Sequence, residues 1–517
     1  MRRTHTAALL MAMILFSAAA AQLEGAVRLP RVFSDHMVVQ RDCPIPVWGW
    51  ADPNERVAVT LGGTAAEAVA DREGRWSVKL HAMPAGGPHA LSVAGTNTVM
   101  VSDVLVGEVW LCSGQSNMNM PIDWGIFGAW GTPECTRALA EIDDPQLRMF
   151  LVDRVVSVDP AGDVGGTWKI AKGNEVLKWS AAGYFFGVEL RRELGVPVGL
   201  LKSSVGGTRI ESWMSRSALL AALPAMKTSF EQWDKRVAGF DEAQHQKDLA
   251  AWRVEAEKAR REGKRPPRQP VPVTQQAGMP SGLYNGMIAP LVPYAMRGVI
   301  WYQGESNARQ AYQYRQTFPA MIRGWRRVWG RGDFPFLFVQ LANYGQIPAE
   351  PVESPWAELR EAQTMALSEP NTAMAVAIDI GEPGDIHPKN KQDVGRRLAL
   401  GALKRAYGRD VVHSGPIYES MAVEDGRVRV RFSHAEGGLE ARGGELKGFA
   451  VAGQDRKFVW AEARIDGDAV VVGSAQVARP VAVRYGWADS PECNLYNREG
   501  LPASPFRTDD WPGMTQR

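Results

Sequence analysis

Hydrophobic residues recur with two different periods along the 517-residue chain. Between residues 27 and 104, short segments alternate apolar and polar positions or are rich in branched and aromatic side chains, and Gly, Pro, Asn and Asp turns separate them. Short strands at this spacing are typical of a β-sandwich, so we predict an all-β, sandwich-like domain over 27–104. The predicted strands are Ile45 to Trp50, Val57 to Leu61, Trp76 to Leu80 and His89 to Val93.

After residue 104, continuous apolar runs alternate with segments whose apolar residues have helical spacing. Such strands are typical of a parallel sheet that is covered by helices on both faces, which predicts an α/β domain over 105–408. The predicted strands are Val106 to Cys112, Val198 to Ser203, Gly298 to Tyr302, Phe336 to Leu341 and Ala373 to Ile380. The predicted helices are Ala181 to Leu194, Gln310 to Trp329, Trp356 to Ser368 and Lys391 to Tyr407.

Two further regions depart from this alternation. Residues 217–275 are highly charged and helical in pattern, which indicates either a solvated helical insertion or a lid or partner surface. Residues 409–517 are again rich in strand patterns and predict a C-terminal β-rich domain. Its predicted strands are Arg427 to Phe432, Gly448 to Val451, Ala469 to Val472 and Val481 to Tyr485.

The N-terminus has the pattern of a secretory signal peptide, which we place at residues 1–22. Arg2 and Arg3 precede an apolar run from Ala7 to Phe16, and alanines 18–21 offer small residues for cleavage. We therefore expect an exported protein, periplasmic or secreted. No later segment is long and apolar enough to predict membrane insertion.

Charge and cysteine content exclude two classes of function. The formal net charge of +2 is not the concentrated basic patch of a nucleic-acid-binding protein. The four cysteines lack the CxxC spacing of a metal site, and export permits disulfides. The sequence does not decide whether Cys112 is a free buried thiol or forms a disulfide that holds the following loop in place. The four are Cys43, Cys112, Cys135 and Cys493.

Small and polar clusters follow the carboxyl ends of several predicted α/β strands, where ligands bind in an open parallel sheet. The first of these strands ends in residues 112–118, CSGQSNM, and the second in residues 203–209, SSVGGTR. The third ends in residues 302–307, YQGESN, and the last leads into residues 384–388, GDIHP. Each cluster alone is more often a turn or a cap, but together they predict an active site.

The chemistry of these residues is that of a serine nucleophile, which needs a base, a group that orients the base, and oxyanion donors. Ser116 is the candidate nucleophile. Of the 8 histidines, only His387 lies in a loop directly after an α/β strand, and Asp385 is placed to orient it. The candidate oxyanion donors are the backbone N–H of Ser116, the backbone at Gly206 or Gly207, and the side-chain amide of Gln303.

At these blocks the sequence resembles the sialate O-acetylesterases, within the SGNH/GDSL hydrolase superfamily. The resemblance extends over nearly the whole mature chain and implies a flavodoxin-like three-layer α/β/α hydrolase domain with flanking β modules. It also implies hydrolysis of sugar O-acetyl esters without a metal or cofactor, with Ser116, His387 and Asp385 as the catalytic set. The matching blocks are residues 34–41, SDHMVVQR; 114–118, GQSNM; 204–208, SVGGT; 301–307, WYQGESN; and 385–390, DIHPKN.

The chain departs from the wider superfamily at two positions. Gln303 stands where an Asn donor is usual, as in the sialate and acetylxylan esterase branches. The usual acid lies three residues before the histidine, where this chain has Gly384, so Asp385 has Glu382 and Asp379 as alternatives.

The predicted partner is an O-acetylated carbohydrate, and the sequence leaves the oligomeric state open. We expect a sialate O-acetylesterase; the alternatives are an acetylesterase for xylan or xyloglucan oligosaccharides and a non-catalytic glycan-binding protein. Arg209 is placed to meet a substrate carboxylate or to pair with Glu211 or Glu305. The predicted substrate-binding residues are Gln115, Asn117, Arg209 and Glu305.

Overall fold

The computed structural model describes residues 26–128 and 132–516. The predicted signal segment, residues 1–22, lies outside the described residues. Within the described ranges, no helix has the length and apolar character that are needed to cross a bilayer.

The N-terminal region is built from short strands whose inward positions are apolar, as in Arg75–Leu80, where every second residue is buried. Four strands form a sheet in the order β4–β3–β6–β7, with β1 parallel to β7, while β2 and β5 form a separate antiparallel pair. All four predicted strands are present, as β2, β3, β5 and β6. The bounds are β1 (Val38–Gln40), β2 (Ile45–Trp50), β3 (Arg56–Leu61), β4 (Thr64–Val69), β5 (Arg75–Leu80), β6 (Gly86–Ala94) and β7 (Thr98–Gly114).

Strand β7 connects the N-terminal sheet to the α/β region without interruption. Its first half pairs with β6 and its second half pairs with two strands of the parallel sheet, at Val198–Ser204 and Gly298–Tyr302. The boundary that we place between residues 104 and 105 therefore lies inside one strand. One continuous hydrophobic core extends across both regions, from Val27 to Leu403.

The α/β region contains the predicted strands and helices, together with two strands that the sequence pattern did not indicate, β8 and β9. The strands are β8 (Asp143–Val152), β9 (Gly166–Lys172), β10 (Val198–Ser204), β11 (Gly298–Tyr302), β12 (Phe336–Gln340) and β13 (Thr372–Val376). The helices are α1 (Ser116–Asn119), α2 (Pro133–Ala140), α3 (Ala181–Leu194), α4 (Arg216–Ala222), α5 (Met226–Ala238), α6 (Glu242–Arg261), α7 (Ala311–Trp329), α8 (Pro355–Met365) and α9 (Lys391–Tyr407).

The sheet order is β13–β12–β11–β7–β10–β8–β9, and all neighbours are parallel except β8 and β9. Within it, β10–β7–β11–β12–β13 has the order 2-1-3-4-5 of a flavodoxin-like sheet. Helix α3 packs against α9, and α7 packs against α8. The predicted α/β fold class is confirmed. In this order, the connections reverse direction between β7 and β11, which is where a ligand site is expected.

The insertion 217–275 is helical, as expected, and contains most of α4 together with α5 and α6. The C-terminal region has a core of its own, built on strands that include all four predicted ones. The bounds are β14 (Ile417–Glu424), β15 (Arg427–Ser433), β16 (Leu439–Ala441), β17 (Phe449–Ala452), β18 (Phe458–Trp460), β19 (Glu462–Asp466), β20 (Ala469–Gly473), β21 (Ala482–Tyr485), β22 (Leu495–Asn497) and β23 (Phe506–Arg507).

A fully buried arginine joins the C-terminal region to the hydrolase sheet. The Arg360 guanidinium, on α8, donates to the carbonyls of Ala488 and Asp489 at 2.7 and 2.9 Å and to those of Leu341 and Ala342 at 2.8 and 2.9 Å. These bonds satisfy a charge that would be costly to bury unpaired, and they fix the C-terminal region to the loop that follows β12.

All four cysteines are free in the structure. Of the two alternatives for Cys112, the structure therefore has the free thiol, buried in β7. Burial raises the pKa of this thiol, so it stays protonated at neutral pH.

Candidate active site

Ser116 lies at the carboxyl end of the central strand, where β7 gives way to the short helix α1. Gly114 has a φ of +138°, and a Cβ there would lie 2.1 Å from the carbonyl oxygen of Tyr302. Glycine is therefore required for β7 and β11 to approach this closely. Gln115 donates its N–H to the same carbonyl at 3.0 Å, so the turn that carries Ser116 is fixed to β11.

The glycine pair after β10 lies beside Ser116. The N–H of Val205 donates to the carbonyl of Gly114 at 3.2 Å, which places this loop over the end of β7. A Cβ on Gly206 would lie 3.5 Å from the Ser116 Cβ, whereas one on Gly207 would meet nothing within 4 Å. Gly206 thus packs against Ser116, and both glycines stay candidates for the oxyanion donor.

His387 and Asp385 lie in the loop between β13 and α9. Oδ1 of Asp385 accepts the backbone N–H of His387 at 2.9 Å and lies 3.7 Å from the imidazole Nδ1. Burial lowers the pKa of His387, and the carboxylate of Asp385 opposes this shift only in part. The imidazole is therefore predominantly neutral at pH 7, as a general base requires.

The two alternative acids are bound elsewhere. Asp379 forms a bidentate ion pair with Arg397 at 2.6 and 2.7 Å and accepts the Tyr496 hydroxyl at 3.2 Å. Glu382 accepts the backbone N–H of Lys389 at 3.0 Å. Asp385 is the acid that the structure places beside His387.

The loops of Ser116 and His387 are in direct contact. Nδ2 of Asn117 donates to the carbonyl of Ile386 at 2.9 Å. The residue after the candidate nucleophile is therefore hydrogen-bonded to the residue before the candidate base, although the two lie far apart in the chain. This bond brings Ser116 and His387 to the same edge of the sheet.

Gln303 is fully buried and joins two loops of the site. Its Nε2 donates to the carbonyl of Thr208 at 3.2 Å and to Oδ1 of Asn307 at 2.7 Å, and its Oε1 accepts the Tyr314 hydroxyl at 2.9 Å. Both amide hydrogens thus have protein acceptors. An oxyanion role would require Gln303 to exchange one of these bonds, and it stays a prediction.

Three of the four predicted substrate-binding residues are bonded to protein: Gln115 and Asn117 are buried, and Glu305 is half-buried. Gln115 Oε1 accepts the N–H groups of Gly304 and Ser306 at 3.4 and 3.2 Å. Asn117 Nδ2 also donates to Oε1 of Glu305 at 2.6 Å. In this structure their contacts join the loops of the site to one another.

Arg209, which we predicted to meet a substrate carboxylate or to pair with Glu211 or Glu305, stays a prediction as a substrate contact. Its side chain is exposed, beside the Gly206–Gly207 pair, and it forms no ion pair within the described ranges. The alternative ion pairs with Glu211 and Glu305 are absent there, because these carboxylates accept from Asn307 and Asn117 instead.

An aromatic side chain from the segment after α1 forms one wall of the site. The ring of Trp124 meets the His387 imidazole edge to face, with centroids 5.8 Å apart, and 52% of Trp124 is exposed. A half-exposed indole offers an apolar face at which a sugar ring can pack.

Sequence analysis missed Lys391, the first residue of α9, which is fully buried. Its Nζ donates to Oδ1 of Asn117 at 2.8 Å and to the carbonyl of Pro388. Burial lowers the pKa of Lys391 to about 7, although the carboxylate of Glu305 favours the charged form. A signal was present in the sequence, because a cation in the first turn opposes the helix dipole and needs a specific reason.

Comparison with known proteins gives consistent matches. The family described as carbohydrate esterase, sialic acid-specific acetylesterase, matches residues 275–404. The sialate O-acetylesterase of Mus musculus is 32% identical over 93% of this chain and 94% of its own, and that of Homo sapiens is 30% identical over 94% of each. The crystal structure of a carbohydrate acetylesterase from Xanthomonas citri is 42% identical, with a TM-score of 0.80, over 94% of this chain and all of that one.

Proposed function

Because this chain belongs to the sialate O-acetylesterase family, and is therefore a carboxylic ester hydrolase, we propose that it releases acetate from O-acetylated sugars by acyl transfer to Ser116. One observation carries the choice of nucleophile and base. The hydrogen bond from Asn117 to Ile386 joins the loops of Ser116 and His387 at the edge where the parallel strands end.

The first half of the reaction uses the neutral imidazole. His387 accepts the Ser116 proton as the serine oxygen attacks the acetyl carbonyl, and Asp385 stabilises the imidazolium that forms. The backbone N–H of Ser116 is the first of its helix and has no acceptor within α1. This N–H is therefore available to stabilise the oxyanion, together with the backbone N–H of Gly206 or Gly207.

Departure of the sugar completes the acylation, and water then regenerates the enzyme. His387 gives its proton to the departing sugar oxygen, so the sugar leaves as an alcohol and an acetyl ester remains on Ser116. Water, deprotonated by the same imidazole, then attacks this ester, and acetic acid leaves as the serine oxygen recovers its proton. One water is consumed for each sugar hydroxyl and acetic acid formed, and the acetic acid then ionises in solution to acetate and a proton.

The test is acetate release by wild type and Ser116→Ala. We expect the variant to lose about a million-fold in kcat while its thermal unfolding stays close to that of wild type. An organophosphonate should label the wild type at Ser116. Sugar binding without acetate release or labelling would instead favour the glycan-binding alternative.

Arg209 favours an acidic sugar as the substrate. Its exposed guanidinium lies beside the glycine pair with no protein carboxylate as a partner in the described ranges, and guanidinium groups suit bidentate recognition of a carboxylate. A neutral acetylated xylo-oligosaccharide offers no such group. We therefore propose O-acetylated sialic acids as the preferred substrate class and xylan-type esters as the second candidate, to which the half-exposed Trp124 ring is equally suited.

Two substrates and two variants separate these candidates. For Arg209→Met, we expect about a tenfold or greater loss of kcat/KM on O-acetylated sialic acid, from loss of a charge-assisted contact, and little change on acetylated xylo-oligosaccharide. Arg72→Met, at an exposed arginine of the N-terminal region, is the control. Equal loss on both substrates would argue against a carboxylate contact at Arg209.

We further propose export to the periplasm or beyond, from the charged and apolar pattern of residues 1–22. The test is expression of the full chain in a bacterial host, with N-terminal sequencing of the product from the periplasm and medium. A mature N-terminus between residues 21 and 26 would support the proposal. Retention of the intact chain in the cytoplasm would contradict it.

A further inference from the structure

The backbone on both sides of His387 is held by buried side chains. The carbonyl of Ile386 accepts Nδ2 of Asn117 at 2.9 Å, and the carbonyl of Pro388 accepts Nζ of Lys391. The N–H of His387 itself donates to Asp385 at 2.9 Å. The loop is thus fixed at three consecutive residues, and a displacement of the His387 backbone away from the site would have to break these bonds.

The side-chain amide of Asn117 connects Lys391 to Glu305. Oδ1 of Asn117 accepts from Nζ of Lys391 at 2.8 Å, while its Nδ2 donates to Glu305 Oε1 at 2.6 Å. Asn117 directly follows Ser116, so the serine backbone is fixed to the same set of bonds. The cation of Lys391 and the carboxyl of Glu305 are the two charges that this amide bridges.

The position of Lys391 is energetically unfavourable for a charged side chain. The ammonium is fully buried, lies 5.6 Å from the centre of the Tyr302 ring, and occupies the positive end of α9. Burial and the helix dipole both oppose its charge. A methionine of similar length would avoid these costs, so stability alone does not account for a lysine here.

Building on the proposed esterase function, we propose that Asn117, Lys391 and Glu305 form a positioning brace that holds His387 against Ser116. The brace does not touch the substrate; it acts through the two carbonyls on either side of His387 and through the backbone next to Ser116. In addition, the Lys391 charge acts on the imidazole through space.

The charge of Lys391 should shift the pKa of His387 in a known direction. Burial is the larger reason that the pKa of His387 is lowered, and the positive charge of Lys391 lowers it further. Because the pKa of Lys391 is about 7, this lysine is charged over the range in which His387 titrates. The other ionisable groups that face this pair are Tyr302 and Glu305 at the end of β11, and Glu382 and Asp385 in the loop before α9.

The first test is Lys391→Met. We expect kcat to fall about 100-fold, the size of effect that a small misplacement of a catalytic group produces, with KM nearly unchanged. The acid limb of the kcat/KM profile should move to higher pH, because the neighbouring positive charge is gone. Lys389→Met, at an exposed lysine of the same loop, is the control and should retain the wild-type kcat and pH profile.

A second single variant, Asn117→Ala, does not depend on the folding of Lys391→Met, and the double variant tests whether the two residues act together. Asn117→Ala should also lower kcat about 100-fold, and the double variant about 100-fold rather than about 10,000-fold, because both remove the same restraint. Independent losses that multiply, or a Lys391→Met enzyme with wild-type kcat and acid limb, would overturn the brace.

A spectroscopic titration separates this proposal from the proposed function. With histidines labelled by ¹⁵N, the imidazole signal that is lost in His387→Gln reports the pKa of His387 directly. We expect the midpoint to rise in Lys391→Met and to stay in Lys389→Met. Absence of acetate release by wild type would refute the esterase function, whereas an unmoved midpoint would refute the electrostatic role of Lys391 whatever the substrate.

Discussion

The two edges of the parallel sheet each bury a glutamate, and the protein satisfies the two carboxyls differently. At the amino edge, Glu108 accepts from Arg297 at 2.8 and 3.2 Å, from Gln40 at 3.0 Å, and also from Arg41. At the carboxyl edge, Glu305 accepts from Asn117, and its Oε2 has no partner within the described residues.

The pKa values of these two carboxyl groups are shifted in opposite directions. Burial opposes the ionisation of Glu108, but the bonds from Arg297, Arg41 and Gln40 outweigh it and hold its pKa below the usual value. Burial raises the pKa of Glu305, because the bond from Asn117, the nearby backbone N–H groups and the charge of Lys391 together do not compensate. Incomplete satisfaction of buried charge is characteristic of functional sites. The comparison thus separates a stabilising edge of the sheet from the edge that carries the candidate site.

The largest expected effect comes from the same substitution at the two edges. Glu108→Gln should lower the free energy of unfolding by about 3 kcal/mol, because it leaves two arginines without their buried counter-charge. Glu305→Gln should change it by less than about 1 kcal/mol, since the lost charge was poorly compensated. Chemical denaturation at pH 7 measures both, and equal losses would remove the distinction.

The stability differences between wild type and the two variants, Glu108→Gln and Glu305→Gln, should change with pH in opposite directions. The contribution of Glu108 is present above its unfolded pKa and is lost as the pH falls through its lower folded pKa, so the penalty of Glu108→Gln should shrink in acid. Glu305 has the higher pKa when folded, so the wild type loses stability relative to Glu305→Gln as the pH rises through that value. The same sign for both would contradict the comparison.

The next largest expected effect is on the pH dependence of stability, and it comes from Lys391 at the carboxyl edge. The pKa of Lys391 in the folded protein is about 7, below the pKa of an exposed lysine. At pH values between these two pKa values, the unfolded chain binds a proton at Lys391 that the folded chain does not. Wild-type stability should therefore rise relative to Lys391→Met by about 1 kcal/mol per pH unit from pH 7 to pH 9. Lys389→Met should show no such slope in parallel denaturation curves.

The fold was largely predictable from the sequence, because its main elements have strong local signals. β11 and α3 have the predicted bounds, and α9 is capped by Asn390 and ends at Gly408, which has left-handed backbone angles. The two missed strands are less regular. In β8, residues 143–146 are largely exposed and the register with β9 shifts after Asp144, so no clean alternation marks it.

The candidate site was predictable only at the level of which loops meet. Parallel-strand topology places the ends of β7 and β11 together, and this locates Ser116 and Gln303. The direction in which each polar side chain bonds is a long-range property. Asn117 and Glu305 bond to each other, and Asn117 also accepts from Lys391, while their contact with substrate stays a prediction. No local pattern specifies such contacts.

The smallest expected effect concerns two buried glutamines, one at each edge. Gln40 Oε1 accepts the N–H of Val109 at 2.9 Å, and Gln115 Oε1 accepts two N–H groups of the loop after β11 at 3.4 and 3.2 Å. Replacing either with Met leaves buried donors unpaired, so each variant should lose about 1 kcal/mol of stability. The stability losses alone do not distinguish the two edges.

Activity should distinguish them. Gln40 contacts the amino edge, so Gln40→Met should keep the wild-type kcat for the folded enzyme. Gln115 fixes the loop of Glu305 and directly precedes Ser116, so Gln115→Met should lower kcat about tenfold, a modest case of the cost of misplacing a catalytic group. Acetate release measured well below both unfolding midpoints is the readout. If Gln40→Met lowers kcat as much as Gln115→Met, catalysis depends on sheet stability in general, and the carboxyl edge has no special role in holding the site.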